Sequence, residues 1–312
     1  MSDPQPPSFT DLSHNAVIAI TGDDATAFLQ GQLTNDVEAL KAGDAQWTGW
    51  CSPKGRLLAT FLLVKRPDGY LAMLPAEIAP AIAKRLSMFV LRSKAKVEDA
   101  SARYKAFGLA GDGAGEIAAA IASGDALPMR TAEKDGVIGV VLEATRAVLL
   151  APPEAAATLA ETLASRAARA GPETWERASI RAGIPIIVAA TQEAFVPQMA
   201  NFDLVGGVSF RKGCYTGQEI VARTQYRGIL KKRMALAHVD GATPSPGQSV
   251  YSPAFGDQSA GTVVNAAPSP DGGYDFLVVA QLESLREGNL RLGSPDGAPI
   301  SIRSHPAETA PQ

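Results

Sequence analysis

Cys214 is one of only two cysteines in a chain of 312 residues, and it lies in the run Arg211-Lys212-Gly213-Cys214-Tyr215-Thr216-Gly217-Gln218-Glu219. A thiol attacks or ligates as its thiolate, so the surroundings of the sulfur decide what it can do. Two cations precede this one, and a helix start follows it. Thr216 and Glu219 have capping-box spacing, which predicts Thr216 as N-cap and Glu219 at the third helical position. The helix would run through Ile220 and Val221 to about Tyr226, with Arg223 and Arg227 near its end and Gly228 as its stop. Cys214 then sits two residues ahead of the N-cap, near the positive end of the helix dipole. With Arg211 and Lys212 beside it, those conditions favour the thiolate. The bland reading is a small buried cysteine next to a capped helix, because free cysteines are usually core residues.

Other constellations carry less. Gly111-Asp112-Gly113-Ala114-Gly115-Glu116 falls between a strand and a helix, but a dinucleotide fingerprint needs a third glycine where Glu116 stands. A glycine-rich turn explains it. The three histidines, at 14, 238 and 305, are dispersed, and no C-x-x-C occurs, so a resident metal is not expected. An iron–sulfur cluster usually takes four protein ligands, so one bound at Cys214 would need donors from elsewhere. Between Arg211 and Arg233 stand seven cations and one acid, Glu219, in a chain of net charge −3. A second basic run holds Arg92, Lys94 and Lys96. A solvated face accounts for both. An anionic ligand, either a carboxylate tail or an RNA phosphate, would also suit the run beside the cysteine. Gln30, Gln32, Asn35 and Asp36 form a polar cluster that helix termination and turn chemistry explain.

The elements that must position these residues read as follows. An apolar strand spans Ala16 to Ile20, and a helix carries Phe28, Leu29 and Leu33. Strands follow near Trp47 to Cys51, Leu57 to Lys65 and Tyr70 to Leu74, with turns at Pro53-Lys54-Gly55 and Pro67-Asp68-Gly69. A helix then places Ile82, Leu86 and Phe89 on one face. A second unit of similar order starts at Tyr104 to Ala110, with a helix around Glu116 to Ile121. Strands near Val137 to Leu142 and Ala147 to Leu150 and a helix from about Pro153 to Ala167 complete it. Gly171-Pro172 opens a further helix that stops at Gly183. From Met234 onward six short strands separated by turn clusters read as a small antiparallel barrel. Trp47 and Trp50, at odd spacing, face opposite sides of their strand.

Composition sets the outer limits. Hydrophobic residues make up 46% and charged residues 20%, which fits a soluble globular chain long enough for two or three cores. The slight acidity argues against a dominant nucleic-acid binder. Two cysteines 163 positions apart exclude a disulfide scaffold and suit a reducing compartment. No apolar run reaches a membrane span, and no secretory signal opens the chain, so a cytoplasmic place is expected.

Lys212-Gly213-Cys214-Tyr215-Thr216-Gly217-Gln218-Glu219 resembles the signature of the folate-binding YgfZ family, related to the T-protein (aminomethyltransferase) of the glycine cleavage system. The similarity continues through the run from Phe28 to Val37, through Cys51-Ser52-Pro53-Lys54-Gly55-Arg56, and through Phe195-Val196-Pro197-Gln198 with Asn201 and Gly206 to Phe210. It spans roughly residues 10 to 305. It implies an α+β fold of two interleaved ferredoxin-like layers plus a C-terminal small antiparallel β-barrel, arranged as a ring. The folate-binding region would cover 8–230, as subdomains of roughly 8–46 with 136–230 and 47–135. The barrel would cover 231–304, with flexible ends at 1–7 and 305–312. The resemblance further implies a bound tetrahydrofolate or one-carbon derivative and a role in assembly or repair of iron–sulfur proteins. Partners would be iron–sulfur apoproteins or assembly proteins, with RNA contact in reserve and no membrane. Cys214 would be the working thiol, helped by Lys212. Gln32, Asn35, Trp47, Gln198, Tyr215, Gln218, Glu219 and Arg223 would line the folate.

Two departures bear on activity. Where the aminomethyltransferases place carboxylates in a Gly-x-x-Leu-Asp-Asp pattern, this chain has Ala59 and Thr60. Neither acts as acid or base at neutral pH. Their folate-gripping glutamate before an Ala-Gly pair is replaced by Arg181. An iron–sulfur maturation factor is therefore the first expectation. A folate-dependent one-carbon transferase is the second, and an accessory factor in tRNA modification the third.

Overall fold

A computed structural model describes residues 5–226 and 230–304. The expected helix stop at Arg227 and Gly228, and the ends 1–4 and 305–312, lie outside the described residues. Along the chain come β1 (Ser8–Asp11), β2 (Asn15–Thr21), α1 (Ala25–Gln32), β3 (Ala45–Cys51), β4 (Leu57–Arg66), β5 (Gly69–Pro75), α2 (Ala79–Ser87) and β6 (Lys96–Asp99). Next are β7 (Lys105–Ala110), α3 (Ala114–Ala122), β8 (Arg130–Lys134), β9 (Val137–Glu143), β10 (Arg146–Ala151), α4 (Pro153–Ala164), β11 (Ala168–Arg169) and α5 (Pro172–Arg181). The remainder holds α6 (Gln218–Tyr226), β12 (Lys232–Val239), β13 (Ser249–Tyr251), β14 (Ser259–Pro268), β15 (Tyr274–Gln281), α7 (Leu282–Glu287), β16 (Arg291–Leu292) and β17 (Ile300–Ser304).

The chain forms two compact units. Unit 1 comprises Met1–Thr48, Phe61–Ala178 and Lys212–Tyr215; unit 2 comprises Gly49–Thr60, Ser179–Arg211 and Thr216–Gln312.

Two sheets supply the strands of unit 1, with residues 49–51 of β3 and 57–60 of β4 counted in unit 2. One has the order β3-β4-β5-β2-β6, the other β11-β1-β7-β10-β9-β8. Strand alternation sends one set of side chains between them. Val17, Ala19, Leu62, Val64, Leu71 and Met73 from the first sheet meet Ile138, Val140, Leu142, Val148 and Leu150 from the second. The opposite set on the second sheet, including Phe107, Leu109 and Leu149, is covered by Ala114 and Ala118 of α3 and Leu159 and Leu163 of α4. Helices α1 and α2 lie against β5 and against β2 and β6. Strands β9 and β10 are therefore buried on both faces and read as continuous apolar runs. Residue 5 is tied down. Gln5 donates its N–H to Asp112 Oδ2 (3.2 Å) and accepts the N–H of Asp112 (2.8 Å).

Gly69 holds φ +147° in the β4–β5 hairpin, and a Cβ there would fall 2.1 Å from the carbonyl oxygen of Ile20. Only glycine fits, which explains the Pro-Asp-Gly turn. Phe89 departs from expectation. Helix α2 ends at Ser87, so Phe89 falls beyond its buried face and is exposed, while Ile82 and Leu86 are buried as expected.

In unit 2 an antiparallel sheet of order β16-β13-β14-β15-β12-β17 curls around a core of Ala237, Val250, Val263, Phe276 and Val278. A bridge between Arg291 and Pro299 brings its two ends together. This is the expected barrel. Helix α7 within it was not foreseen.

Candidate functional site

The motif residues of unit 1 alternate sharply in burial. Lys212 and Tyr215 are buried, whereas Gly213 and Cys214 between them are exposed. The thiol thus lies in an exposed two-residue segment with a buried residue at each end. The Lys212 ammonium donates to the carbonyl oxygens of Gln30 (2.6 Å), Leu33 (2.6 Å) and Asn35 (3.0 Å), and it lies 5.1 Å from the centre of the Tyr215 ring. Burial lowers its pKa to about 8, opposed by the carboxylates of Asp36 and Glu38, so it remains an ammonium at neutral pH. All three of its N–H groups are occupied, which leaves it no donor for a reactant at the thiol. Lys212 was expected to help the thiol; what its ammonium contacts is the end of α1.

The polar cluster at the end of α1 is bonded into itself. Gln30 donates to Asp36 Oδ1 (3.0 Å) and accepts the N–H of Val37 (2.8 Å). Asn35 donates its amide to the Trp47 carbonyl (2.8 Å) and accepts the N–H of Asp36 (2.9 Å). Gln32 and Trp47 are half-buried, and Trp47 packs on the core between the sheets. Turn chemistry accounts for these amides.

In unit 2 the helix after the motif starts at Gln218, one residue later than the capping box requires. Gly217 takes the N-cap position; its carbonyl accepts the first helical N–H, from Val221, at 3.4 Å. The reason is steric. Gly217 has φ +82°, and a Cβ there would lie 2.4 Å from the Ser52 carbonyl oxygen. The helix start is pressed onto the Ser52–Gly55 turn, so Thr216 is not the cap and Glu219 is not at the third position. Glu219 and Arg223 are exposed on α6 and Gln218 is half-buried.

Gln198 is fully buried and donates Nε2 to the Val221 carbonyl (2.7 Å). Its Oε1 has no hydrogen-bond partner among the described residues. Its backbone carbonyl accepts from Arg233 (2.9 Å), and Arg233 makes a two-point pair with Asp203 at 2.7 and 3.1 Å. Buried Lys212 and paired Arg233 therefore drop out of the basic run. Lys232 is half-buried, and burial and then the nearby Arg56 cation lower its pKa.

The two departures also have structural explanations. Thr60 is buried; its hydroxyl donates to the Pro185 carbonyl (3.0 Å) and accepts the N–H of Ile187 (3.1 Å). Ala59 is fully buried. Arg181 grips Asp275 at 2.9 and 3.1 Å, and Asp275 also bonds His238 Nδ1 at 2.8 Å. Sequence reading missed this trio because its partners lie 94 and 37 positions apart.

The glycine-rich turn at 111–116 is structural. Gly113 (φ +79°) caps α3, and a Cβ at Gly111 would fall 2.5 Å from the Pro6 carbonyl oxygen. Among the described residues no three His, Cys, Asp or Glu side chains come together as a metal site. Among them, too, no helix is long and apolar enough to cross a membrane.

Known proteins bear on this arrangement. Residues 7–148 match the family model described as GCVT N-terminal domain. The tRNA-modifying protein YgfZ of Yersinia pestis (strain Pestoides F) is 32% identical over 311 residues, covering 98% of this chain and 94% of that protein. The same-named protein of Edwardsiella ictaluri is 30% identical over 306 residues, covering 95% and 91%. Among solved structures, the glycine cleavage system aminomethyltransferase T from Bartonella henselae superposes with a TM-score of 0.79. It covers 97% of this chain and 86% of that one at 18% identity, which establishes a shared fold. Similarity at this level, running almost end to end, shows that the chain belongs to the YgfZ family.

Proposed function

We propose that this protein binds a tetrahydrofolate and supports assembly or repair of iron–sulfur proteins, with Cys214 as the working thiol. The observation that carries the reading is the display of Cys214: exposed in a two-residue segment between two buried residues, in a chain whose other cysteine is buried. Folate binding is supported by the shared T-protein fold and by Gln198, whose buried acceptor lacks a donor of the kind a pterin offers. Gln198 would hold the ring, and exposed Arg223 suits an anionic tail. A bound folate would supply a one-carbon group or a sensing ligand. Aminomethyl transfer fits poorly, because Ala59 and Thr60 offer no acid and the Thr60 hydroxyl is engaged within the fold.

Complementation tests the reading. In cells lacking the family member, Cys51→Ser should restore iron–sulfur enzyme activity and Cys214→Ser should not. Calorimetry should register heat with tetrahydrofolate. Full restoration by Cys214→Ser, or no heat and no thermal shift at saturating folate, overturns the corresponding half. A role in tRNA modification is the second reading, favoured by the name of the relatives. Loss of modified nucleosides in the same cells, with iron–sulfur activities intact, would put it first.

A further inference from the structure

Within unit 1 the three hydrogens of one ammonium meet three carbonyl oxygens that the end of α1 supplies. The Gln30 carbonyl is among the last four of the helix, Leu33 is its C-cap, and Asn35 stands in the following turn. The negative end of the helix therefore faces the Lys212 cation. One residue beyond Cys214, Tyr215 buries its ring 5.1 Å from the same nitrogen. Gly213 contributes no packing of its own, since a Cβ added there would meet nothing within 4 Å.

We propose that Lys212 is the positioning residue for Cys214: its ammonium rivets the motif to the carboxyl end of α1, and the thiol is displayed in a segment of fixed shape. This rests on the reading of Cys214 as the working thiol. The rivet demands a compact three-pronged donor. A planar guanidinium cannot aim three N–H groups at three converging oxygens, so arginine should not replace lysine. A free ammonium ion can, if the side chain is shortened.

Wild-type protein supplies the first test. Reductive methylation followed by mass mapping should leave Lys212 unmodified while exposed lysines react; complete methylation of the folded protein at Lys212 overturns the proposal. Variants supply the second. Lys212→Met, Lys212→Arg and Lys212→Ala should each lower the melting temperature and shift the native alkylation rate of Cys214 severalfold. Each should also lose most restoration of iron–sulfur activity. Ammonium chloride, but not tetramethylammonium chloride at equal ionic strength, should return Lys212→Ala towards the wild-type alkylation rate. Wild-type alkylation and restoration by Lys212→Met and Lys212→Arg, with Cys214→Ser inactive, overturns the rivet. If Cys214→Ser itself restores activity, the working-thiol reading falls; the methylation and ammonium arms still judge the rivet.

Discussion

Burial pushes the Cys51 thiol up to about 12. Iodoacetamide near pH 8 should therefore label Cys214 and spare Cys51 until the protein unfolds, as mass mapping would show. Equal labelling of both would contradict the placement. The same shift gives stability a sign. Above the ordinary value of 9.0 the unfolded chain releases the Cys51 proton while the folded chain keeps it, so stability is intact below 9.0 and declines from there towards about 12. Cys51→Ala should remove that component of the alkaline decline. Thr60 makes a different point. Thr60→Val keeps the shape but leaves the Pro185 carbonyl and the Ile187 N–H without their partner, at a cost of about 1–3 kcal/mol by denaturant titration. An unchanged midpoint would mean that water replaces the hydroxyl. The contrast between the two cysteines was legible in the sequence, because one lay on an apolar strand and the other beside a helix start. The task of Thr60 was not, since its partners are 125 and 127 positions away.

At the scale of elements, the two glycines flanking Cys214 have different jobs. Gly217 sits at φ +82° against the Ser52 backbone, whereas Gly213 faces open space. Gly217→Ala should destabilise unit 2 by more than about 1 kcal/mol and disturb the start of α6, while Gly213→Ala should be tolerated. Melting curves of the two variants would separate them, and equal effects would refute the assignment. Thr216→Ala should melt like wild type, because Gly217 holds the cap position. The capping box misplaced the helix start by one residue because its spacing is blind to a neighbouring turn. Strands β12 to β17 were legible from turn clusters and short apolar runs. The short strands β1, β6, β8 and β11, all but β1 at a sheet edge, were not: none is an uninterrupted apolar run, so partners across the sheet rather than local pattern define them. Phe89 was drawn into α2 by periodicity, although the helix had already ended at Ser87.

At the scale of the whole molecule, the shared T-protein fold carries Ala59 and Thr60 where the resemblance to the aminomethyltransferases implies carboxylates. Protein supplied with tetrahydrofolate and an aminomethyl-lipoyl carrier should release ammonia at background rate, and robust release would show that another group has taken over the chemistry. The fold class was legible because the family resemblance and the succession of strands, helices and turns along the chain agreed over almost the full length. The site was legible in part. The exposed thiol follows from a local signal, but the acceptors of Lys212 lie 177 to 182 positions upstream. No spacing rule reaches that far. The turn chemistry read from the polar cluster is what Gln30 and Asn35 show, since their amides bond within the turn that follows α1 and to the Trp47 carbonyl.

One exposed thiol and one buried thiol give this protein a covalent valence of one. Under oxidation it can form a pair but never a chain, because each copy offers a single point of attachment. A mixed disulfide with a client would have one-to-one stoichiometry. An iron centre touching Cys214 would have to be a shared object, with most of its ligands supplied by the other party.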